Sequence, residues 1–213
     1  MGTVIAFVNQ KGGCAKSTTA VHFVQWLIQQ KRQAILVDAD AQGSSSIWLS
    51  SLESKIPCEV AQTSEALLDR LPQLINQYDQ VVVDGPAGLS DATKAILAKA
   101  DLAIIPCQPS GVDLRSAKDA IQLIQQAQAQ RRGLPQAAVF LSRAVKGTRL
   151  KDEALGSLGK IGIPLLGTVI HQRQAVADTF GQKATVWDLL GAAAAEAAIE
   201  FEELFKEIFK MVR

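Results

Sequence analysis

The residues with the clearest chemical potential lie in a short glycine-containing stretch near the N-terminus, residues 9–18. This stretch follows an apolar run that predicts a strand and precedes a helical pattern, which is the context of a phosphate-binding loop. Glycines let the backbone approach phosphate oxygens, while consecutive amides and the helix N-terminus supply positive potential. Lys16 is predicted to reach the β- and γ-phosphates, and the Ser17 hydroxyl to bind Mg²⁺. We therefore expect ATP and Mg²⁺ as ligands.

The loop departs from the ordinary phosphate-loop pattern G-x4-G-K-[ST]. Gln10 and Ala15 occupy the positions of its two glycines, and an additional lysine, Lys11, stands early in the loop. The loop matches the deviant form K-G-G-x-[GA]-K-[ST] instead. At Ala15 we expect a helical φ angle, because alanine adopts that conformation at little cost. The nucleotide-binding residues predicted within the loop are Lys11, Gly12, Gly13, Cys14, Ala15, Lys16, Ser17 and Thr18.

Acidic residues follow two further predicted strands. Asp38 and Asp40 come after the second strand, and Asp84 ends a later one. Phosphoryl transfer requires Mg²⁺ near the β/γ oxygens and an oriented water molecule. Asp38 and Asp84, with Ser17, are predicted to serve the metal, and Asp40 to orient the water. A helix N-cap is the alternative role for an aspartate at a strand end, and the sequence does not divide water positioning from metal support between Asp38 and Asp40.

The elements that must position these residues alternate along the chain. Six apolar or nearly apolar runs are typical of strands buried on both faces of a parallel sheet. They span residues 3–8, 34–37, 80–83, 102–105, 137–141 and 165–170. Helical patterns span residues 16–30, 64–77, 90–99, 112–131, 148–159 and 192–211. This alternation predicts a doubly wound α/β fold, with a mostly parallel sheet and helices on both faces, and one domain over residues 1–213.

Composition narrows the class of protein further. The 213 residues are 48% hydrophobic and 20% charged, with a net charge of +1. These values exclude a disordered chain, and no global charge directs the protein to nucleic acid or membrane. The three cysteines are widely spaced, which argues against a disulfide framework or a zinc site. No apolar run reaches the ~18 residues of a membrane span. We therefore expect a soluble cytoplasmic protein.

Four motifs in this order resemble the ParA/MinD family of ATPases, P-loop NTPases with a deviant Walker A loop. They are the loop at 11–17, the Asp38–Gly43 switch, the strand ending in Asp84, and the proline segment at 104–109. The resemblance implies that Pro106, Gln108 and Pro109 lie near the adenine. It also implies that Lys11 reaches the nucleotide of a partner subunit, so that Lys11, Lys16, Asp38 and Asp40 form the catalytic set.

The resemblance further implies how the protein works. A homodimer forms on ATP, binds DNA of the nucleoid without sequence preference, and is released when an adaptor stimulates hydrolysis. The compact chain and the residues at 38–46 favour the members that position carboxysomes, whose adaptor would be McdB-like. Plasmid or chromosome partition, with a ParB-like adaptor, is the nearest alternative.

A basic stretch provides candidate DNA contacts. Residues 131–151 contain six cations and no acid, although the whole chain carries a net charge of only +1. Such a run is often a set of solvated loop and helix ends. In this family the resemblance implies DNA contacts in the C-terminal half. The candidates are Arg143, Lys146, Arg149, Lys151 and Arg173.

Two other functions remain possible from sequence. A dethiobiotin-synthetase-like ligase would share the fold, but Lys11 and the Asp38-x-Asp40 switch argue against it. A MinD-like membrane regulator would need an amphipathic C-terminal helix with a cationic polar face. In residues 199–212 four glutamates outnumber two lysines, so we expect this helix to pack on the core and no membrane partner.

Overall fold

The structure is a computed structural model that describes residues 2–212. Its strands are β1 (Thr3–Asn9), β2 (Ala34–Asp38), β3 (Cys58–Val60), β4 (Gln80–Ala87), β5 (Leu102–Cys107) and β6 (Gln136–Leu141). All neighbouring strands pair in parallel, in the order β3-β2-β4-β1-β5-β6. The strand order reverses at β1, so the phosphate loop that follows β1 lies at the switch point where such sheets bind ligands.

Eight helices accompany these strands in the described chain. They are α1 (Lys16–Gln29), α2 (Ser44–Ser51), α3 (Ser64–Leu74), α4 (Asp91–Leu97), α5 (Gly111–Gln130), α6 (Arg149–Leu158), α7 (Gln174–Asp178) and α8 (Ala192–Met211). Successive residues of β1 face opposite sides of the sheet, as the strand period requires. Ala6 joins the core beneath α3 to α6, and Phe7 joins the core beneath α1, α2 and α8. The predicted doubly wound α/β fold is confirmed.

The predicted strand at 165–170 is wrong. One isolated bridge joins Leu165 to Val139, and the run does not continue as a ladder. The cause is a side chain of α8: the Glu207 carboxylate accepts hydrogen bonds from the Gly167 and Thr168 amides at 2.7 and 2.9 Å. These amides are therefore satisfied without a partner strand.

Three short elements were not predicted. β3 has only three residues with a glutamate at its centre, and α7 has only five residues. α2 begins with three serines, a residue that competes with helical hydrogen bonding and masks the pattern. Such segments are formed by their tertiary surroundings rather than by strong local preference.

The last helix packs on the protein core, which confirms the prediction for it. Phe201, Leu204, Phe205 and Ile208 are fully buried, and the ring of Phe205 lies 5.1 Å from that of Phe23 in α1. Within residues 2–212, no helix combines the length and apolarity needed to cross a membrane.

Candidate nucleotide-binding site

A cavity of about 770 Å³ opens at the carboxyl edge of the sheet, beside the phosphate loop. This volume is within the usual range for small-molecule sites. Most of its lining comes from three parts of the chain: the loop and start of α1, the switch after β2, and the segment 170–180. From the predicted loop residues it includes Gly12, Gly13, Ala15, Lys16, Ser17 and Thr18.

The phosphate loop turns into α1 through residues in the left-handed region. Gly13 has φ 76°, and Ala15, the N-cap of α1, has φ 78°. The expected helical φ at Ala15 is therefore wrong. A left-handed alanine costs about 1 kcal/mol relative to glycine, and the turn into α1 imposes this conformation on whichever residue stands there.

Lys16 lies over the loop, where the sequence places it. Its ammonium donates to the Lys11 carbonyl at 3.2 Å, and the residue is 5% exposed. A phosphate oxygen is a stronger acceptor for an ammonium than a neutral carbonyl is. Nucleotide phosphates would therefore replace the carbonyl as the partner of Lys16, with Ser17 and Thr18 beside them at the start of α1.

Lys11 is held by its own chain. Its ammonium lies 2.8 Å from Asp113 Oδ2, a carboxylate 1% exposed at the start of α5. The Ser110 hydroxyl also donates to this carboxylate and accepts from the Asp113 amide, so it caps the start of α5. Lys11 is not among the residues that line the cavity, and its role toward a partner's nucleotide stays a prediction.

The two switch aspartates differ in their surroundings. Asp38 is fully buried, and its oxygens accept from the Asp40 and Ser46 amides at 3.1 and 2.8 Å. Asp40 lines the cavity and accepts from the Gln42 and Ala87 amides at 2.9 and 3.2 Å. This geometry favours Asp40 for orienting water and Asp38 for holding the switch and the start of α2.

Asp84 is a buried carboxyl group without hydrogen-bond partners. Within residues 2–212, neither of its oxygens nor the Ser45 hydroxyl forms a hydrogen bond. Burial raises the pKa of Asp84 to about 7, and the nearby charge of Asp38 adds to this shift. The Ser17 and Ser45 hydroxyls and the charge of Lys16 oppose it. Orphaned buried oxygens of this kind are typical of a group that binds its partner only with a ligand.

These residues fit a hydrated Mg²⁺ ion. The Ser17 hydroxyl would bind the ion, and Asp84 would accept hydrogen bonds from water molecules that the ion holds. The described chain contains no cluster of three or more histidine, cysteine or acidic residues suited to a metal. Nucleotide phosphates would therefore have to supply part of the coordination, as Mg²⁺ sites of this chemistry require.

We expect Asp84→Asn to stabilise the nucleotide-free protein at pH 8. The native carboxyl group keeps its proton to higher pH than the unfolded one, so the free energy of unfolding falls as pH rises from about 4 to about 7. Replacing the carboxyl group by an amide should therefore raise the free energy of unfolding by about 2–4 kcal/mol at pH 8 and by little at pH 4. Thermal unfolding at both pH values, without Mg²⁺, measures the difference. Asp91→Asn is the control, because Asp91 is exposed. An Asp84→Asn variant that is less stable than wild type at pH 8 would contradict the expectation.

The proline segment lies behind the loop instead of lining the cavity. Pro106, Gln108 and Pro109 are not among the lining residues, and their contact with adenine stays a prediction. The Pro106 carbonyl accepts from Asn9 Nδ2 at 2.7 Å, and Gln108 Nε2 donates to the Gly13 carbonyl at 2.6 Å. The segment therefore supports the loop from the neighbouring strand.

Sequence reasoning missed the opposite wall of the cavity. This wall comes from residues 170–180, with Trp48 of α2 and Phe201 of α8 behind it. The end of the apolar run at 165–170 was the available signal, because residues after such a run reach the ligand-binding edge of a parallel sheet.

Arg173, predicted to contact DNA, is an internal ion-pair residue in this structure. Its side chain is 9% exposed and lies 3.0 Å from Glu196 and 2.7 Å from Glu200 of α8. His171 also pairs with Glu200, at 2.8 Å. The two glutamates lie more than twenty residues away in sequence and are brought to Arg173 by the packing of α8. The contact of Arg173 with DNA stays a prediction.

The other predicted DNA contacts separate into two groups. Arg143 lines the cavity and donates to the Gly13 carbonyl at 3.1 Å, so it faces the nucleotide site. Lys146 and Arg149 lie on the surface, paired with Glu196 at 3.0 Å and Glu153 at 2.6 Å. Lys151 is 3.9 Å from Asp152. Lys146 and Arg173 contact the same carboxylate, Glu196, and Arg143 and Arg173 both line the cavity.

His22 lies in the protein core. Its ring stacks on Phe201 at 4.5 Å, Nδ1 donates to the Thr18 carbonyl at 2.7 Å, and Nε2 accepts from the Val186 amide at 3.2 Å. Burial lowers its pKa to about 4, so the ring is neutral at pH 7. The ring thereby connects the start of α1 to α8.

The fold and site define a nucleotide-binding P-loop protein, and residues 5–186 match the CobQ/CobB/MinD/ParA nucleotide binding domain. The chain belongs to this family. Among curated proteins it resembles "Maintenance of carboxysome distribution protein A" from Halothiobacillus neapolitanus, at 27% identity over 96% of this chain and 95% of the relative. The protein of the same description from Gloeobacter kilaueensis is 30% identical over 96% and 93%.

Solved structures agree on the fold. An ATP complex of a Cyanothece McdA variant superimposes with a TM-score of 0.82 at 16% identity, covering 98% of this chain and 96% of that one. MinD from Pyrococcus horikoshii with Mg-ADP has a TM-score of 0.78 at 18% identity, covering 100% and 98%.

Proposed function

We propose that the protein is a positioning ATPase that distributes carboxysomes over the nucleoid in the cytoplasm. In this proposal it dimerises on ATP, binds DNA without sequence preference, and leaves when an McdB-like adaptor stimulates hydrolysis. The observation that carries the ATPase function is one cavity that combines Lys16 and Ser17 with the switch carboxylate of Asp40. The near full-length similarity to two carboxysome distribution proteins supports carboxysomes as the cargo. Partition is the second candidate, supported by 27% identity to Protein ParA of Rhizobium radiobacter.

Each residue of the site has a separate role in the proposed hydrolysis. Lys16 and the loop amides bind the phosphates, and Asp40 accepts a hydrogen bond from the attacking water and aims it. Asp84 and Ser17 would hold Mg²⁺, which neutralises charge that develops on the phosphates. Asp38 keeps Asp40 in place through the amide contact at 3.1 Å.

Dimerisation needs cations because two triphosphates face each other. About eight negative charges then lie close together, and lysines inserted from the partner offset their repulsion. Lys11 has to leave Asp113 to do this. The Lys11 side chain is 38% exposed but Asp113 is 1% exposed, so this exchange leaves a buried carboxylate without its lysine, and contacts with the partner's phosphates have to offset that cost.

Lys11→Ala should bind ATP as a monomer and fail to dimerise. The Lys16 ammonium and the cavity remain, but the cation for the partner's phosphates is lost. Light scattering with a non-hydrolysable ATP analogue measures the dimer, and calorimetry measures the affinity. Lys94→Ala, which removes a lysine from an exposed pair with Asp91, is the matched control. A stable Lys11→Ala dimer would make Lys11 an ordinary loop lysine.

DNA binding is expected to use the cations that remain on the surface, Lys146, Arg149 and Lys151. Phosphate contacts release counterions, so affinity should fall steeply with salt and vary little with sequence. Replacing Lys146 and Arg149 with alanine should reduce the slope of log affinity against log salt by about 2, since each contact contributes about 0.9. Arg173→Ala should instead destabilise the fold, because it leaves Glu200 half-buried and without its arginine.

Co-sedimentation with DNA in ATP, ADP or no nucleotide tests the proposed function. Binding only in ATP supports it, and release on addition of the adaptor supports the cycle. Absence of DNA binding in every nucleotide state, together with ATP turnover, would favour a metabolic ligase. A strong preference for one duplex sequence would contradict the nonspecific interaction.

A further inference from the structure

Three side chains hold the tip of the phosphate loop from outside. The Gly13 carbonyl accepts two hydrogen bonds, from Gln108 Nε2 at 2.6 Å and from Arg143 Nη1 at 3.1 Å. The next carbonyl, that of Cys14, accepts from the fully buried Ser142 hydroxyl at 3.0 Å. Gln108 follows β5, while Ser142 and Arg143 follow β6. We call these three residues the loop clamp.

The clamp determines where the loop amides point. In a trans peptide the carbonyl of one residue and the amide N–H of the next are antiparallel. Holding the Gly13 and Cys14 carbonyls toward β5 and β6 therefore turns the Cys14 and Ala15 amides the other way. Within residues 2–212 neither amide has a hydrogen-bond acceptor, and Gly13 and Ala15 both line the cavity. Free amides in this orientation are the donors that bind α- and β-phosphates.

We infer that Gln108, Ser142 and Arg143 are positioning residues for ATP, which act through the carbonyls of Gly13 and Cys14. This inference rests on the proposed ATP site and deepens it. It gives Gln108 a role in loop support and Arg143 a role in nucleotide binding instead of DNA binding. Arg143 itself has a left-handed φ of 52°, which the end of β6 imposes while directing its side chain over the loop.

The test uses Gln108→Leu and Arg143→Leu in the full chain, with calorimetric affinities for ADP and a non-hydrolysable ATP analogue. Each variant should weaken binding of both nucleotides about tenfold, the effect of losing one strong hydrogen bond. An equal loss of affinity for ADP and ATP is expected because the amides bind the α- and β-phosphates, which both nucleotides have. The double variant should lose more affinity than either single variant, because the Gly13 carbonyl then has neither of these two donors. Arg143→Lys, which keeps a charged donor, should recover part of the affinity.

Controls separate positioning from stability and from charge. Arg149→Leu removes an exposed arginine of the same basic stretch and should leave nucleotide affinity unchanged. Thermal unfolding without nucleotide should be the same for Gln108→Leu and wild type. Wild-type affinity in a folded Gln108→Leu variant, or a loss for ATP alone in Arg143→Leu, would overturn the clamp. If wild type itself binds no nucleotide, both the proposed function and this inference fail. If wild type binds nucleotide and the clamp variants bind it equally well, the inference alone fails.

Discussion

Lys16→Ala is expected to abolish measurable ATP binding. The Lys16 ammonium is the cation that the loop itself places at the cavity, and it donates to the Lys11 carbonyl at 3.2 Å. Each hydrogen bond between charged groups contributes about 1.5–3 kcal/mol, and an ammonium can bridge two phosphates. The expected loss is therefore about 100-fold or more in affinity.

Calorimetry with ATP and Mg²⁺ measures this loss directly, and dimer mass and DNA co-sedimentation should become independent of nucleotide. Lys94→Ala provides the comparison, because its ammonium pairs with exposed Asp91 on α4 and does not line the cavity. Thermal unfolding without nucleotide shows whether Lys16→Ala still folds. A folded Lys16→Ala variant with wild-type ATP affinity would remove the phosphate-loop assignment.

Asp40→Ala is expected to slow hydrolysis by about 10²–10⁴-fold while leaving ATP bound, the usual effect of losing a positioned acid–base group. Asp40 lines the cavity, whereas the loop, Ser17 and Asp84 remain able to hold Mg-ATP. Because ATP closes the proposed dimer, the variant should accumulate as an ATP-bound dimer on DNA. The adaptor should not restore its turnover.

Single-turnover hydrolysis, with the dimer fraction measured in the same ATP solution, decides the role of Asp40. Asp91→Ala is the control for removing an aspartate at an exposed site. Asp38→Ala should also slow turnover, since it releases the Asp40 and Ser46 amides, but it should destabilise the fold as well. Loss of ATP binding in Asp40→Ala would place this residue with the metal, and normal turnover would remove it from the mechanism.

Residues close in sequence carried the predictions that the structure confirms. The run into Lys16 and Ser17 requires a strand, a glycine turn and a helix within fifteen residues, and these form as β1, the loop and α1. Continuous apolar runs likewise predicted the buried strands β2, β4, β5 and β6, with boundaries that differ by a few residues.

Interactions that the sequence could not reveal join residues far apart along the chain. Arg173 is a candidate DNA contact by sequence, and α8 places Glu196 and Glu200 against it. The run at 165–170 looked like a strand, but Glu207 occupies the amides that a neighbouring strand would need. A count of charges or apolar residues within a window contains no information about such partners.

By itself the sequence determined the class of fold and the place of the nucleotide site, because strand periodicity, glycine and the lysine and serine of the loop act over a few residues. Tertiary structure alone decided what each charge does. It separated buried Asp38 from Asp40 at the cavity, turned Arg143 toward Gly13, and gave Ala15 a left-handed turn. The physical reason is that burial and ion pairing depend on which distant side chains the packed helices bring within hydrogen-bonding distance.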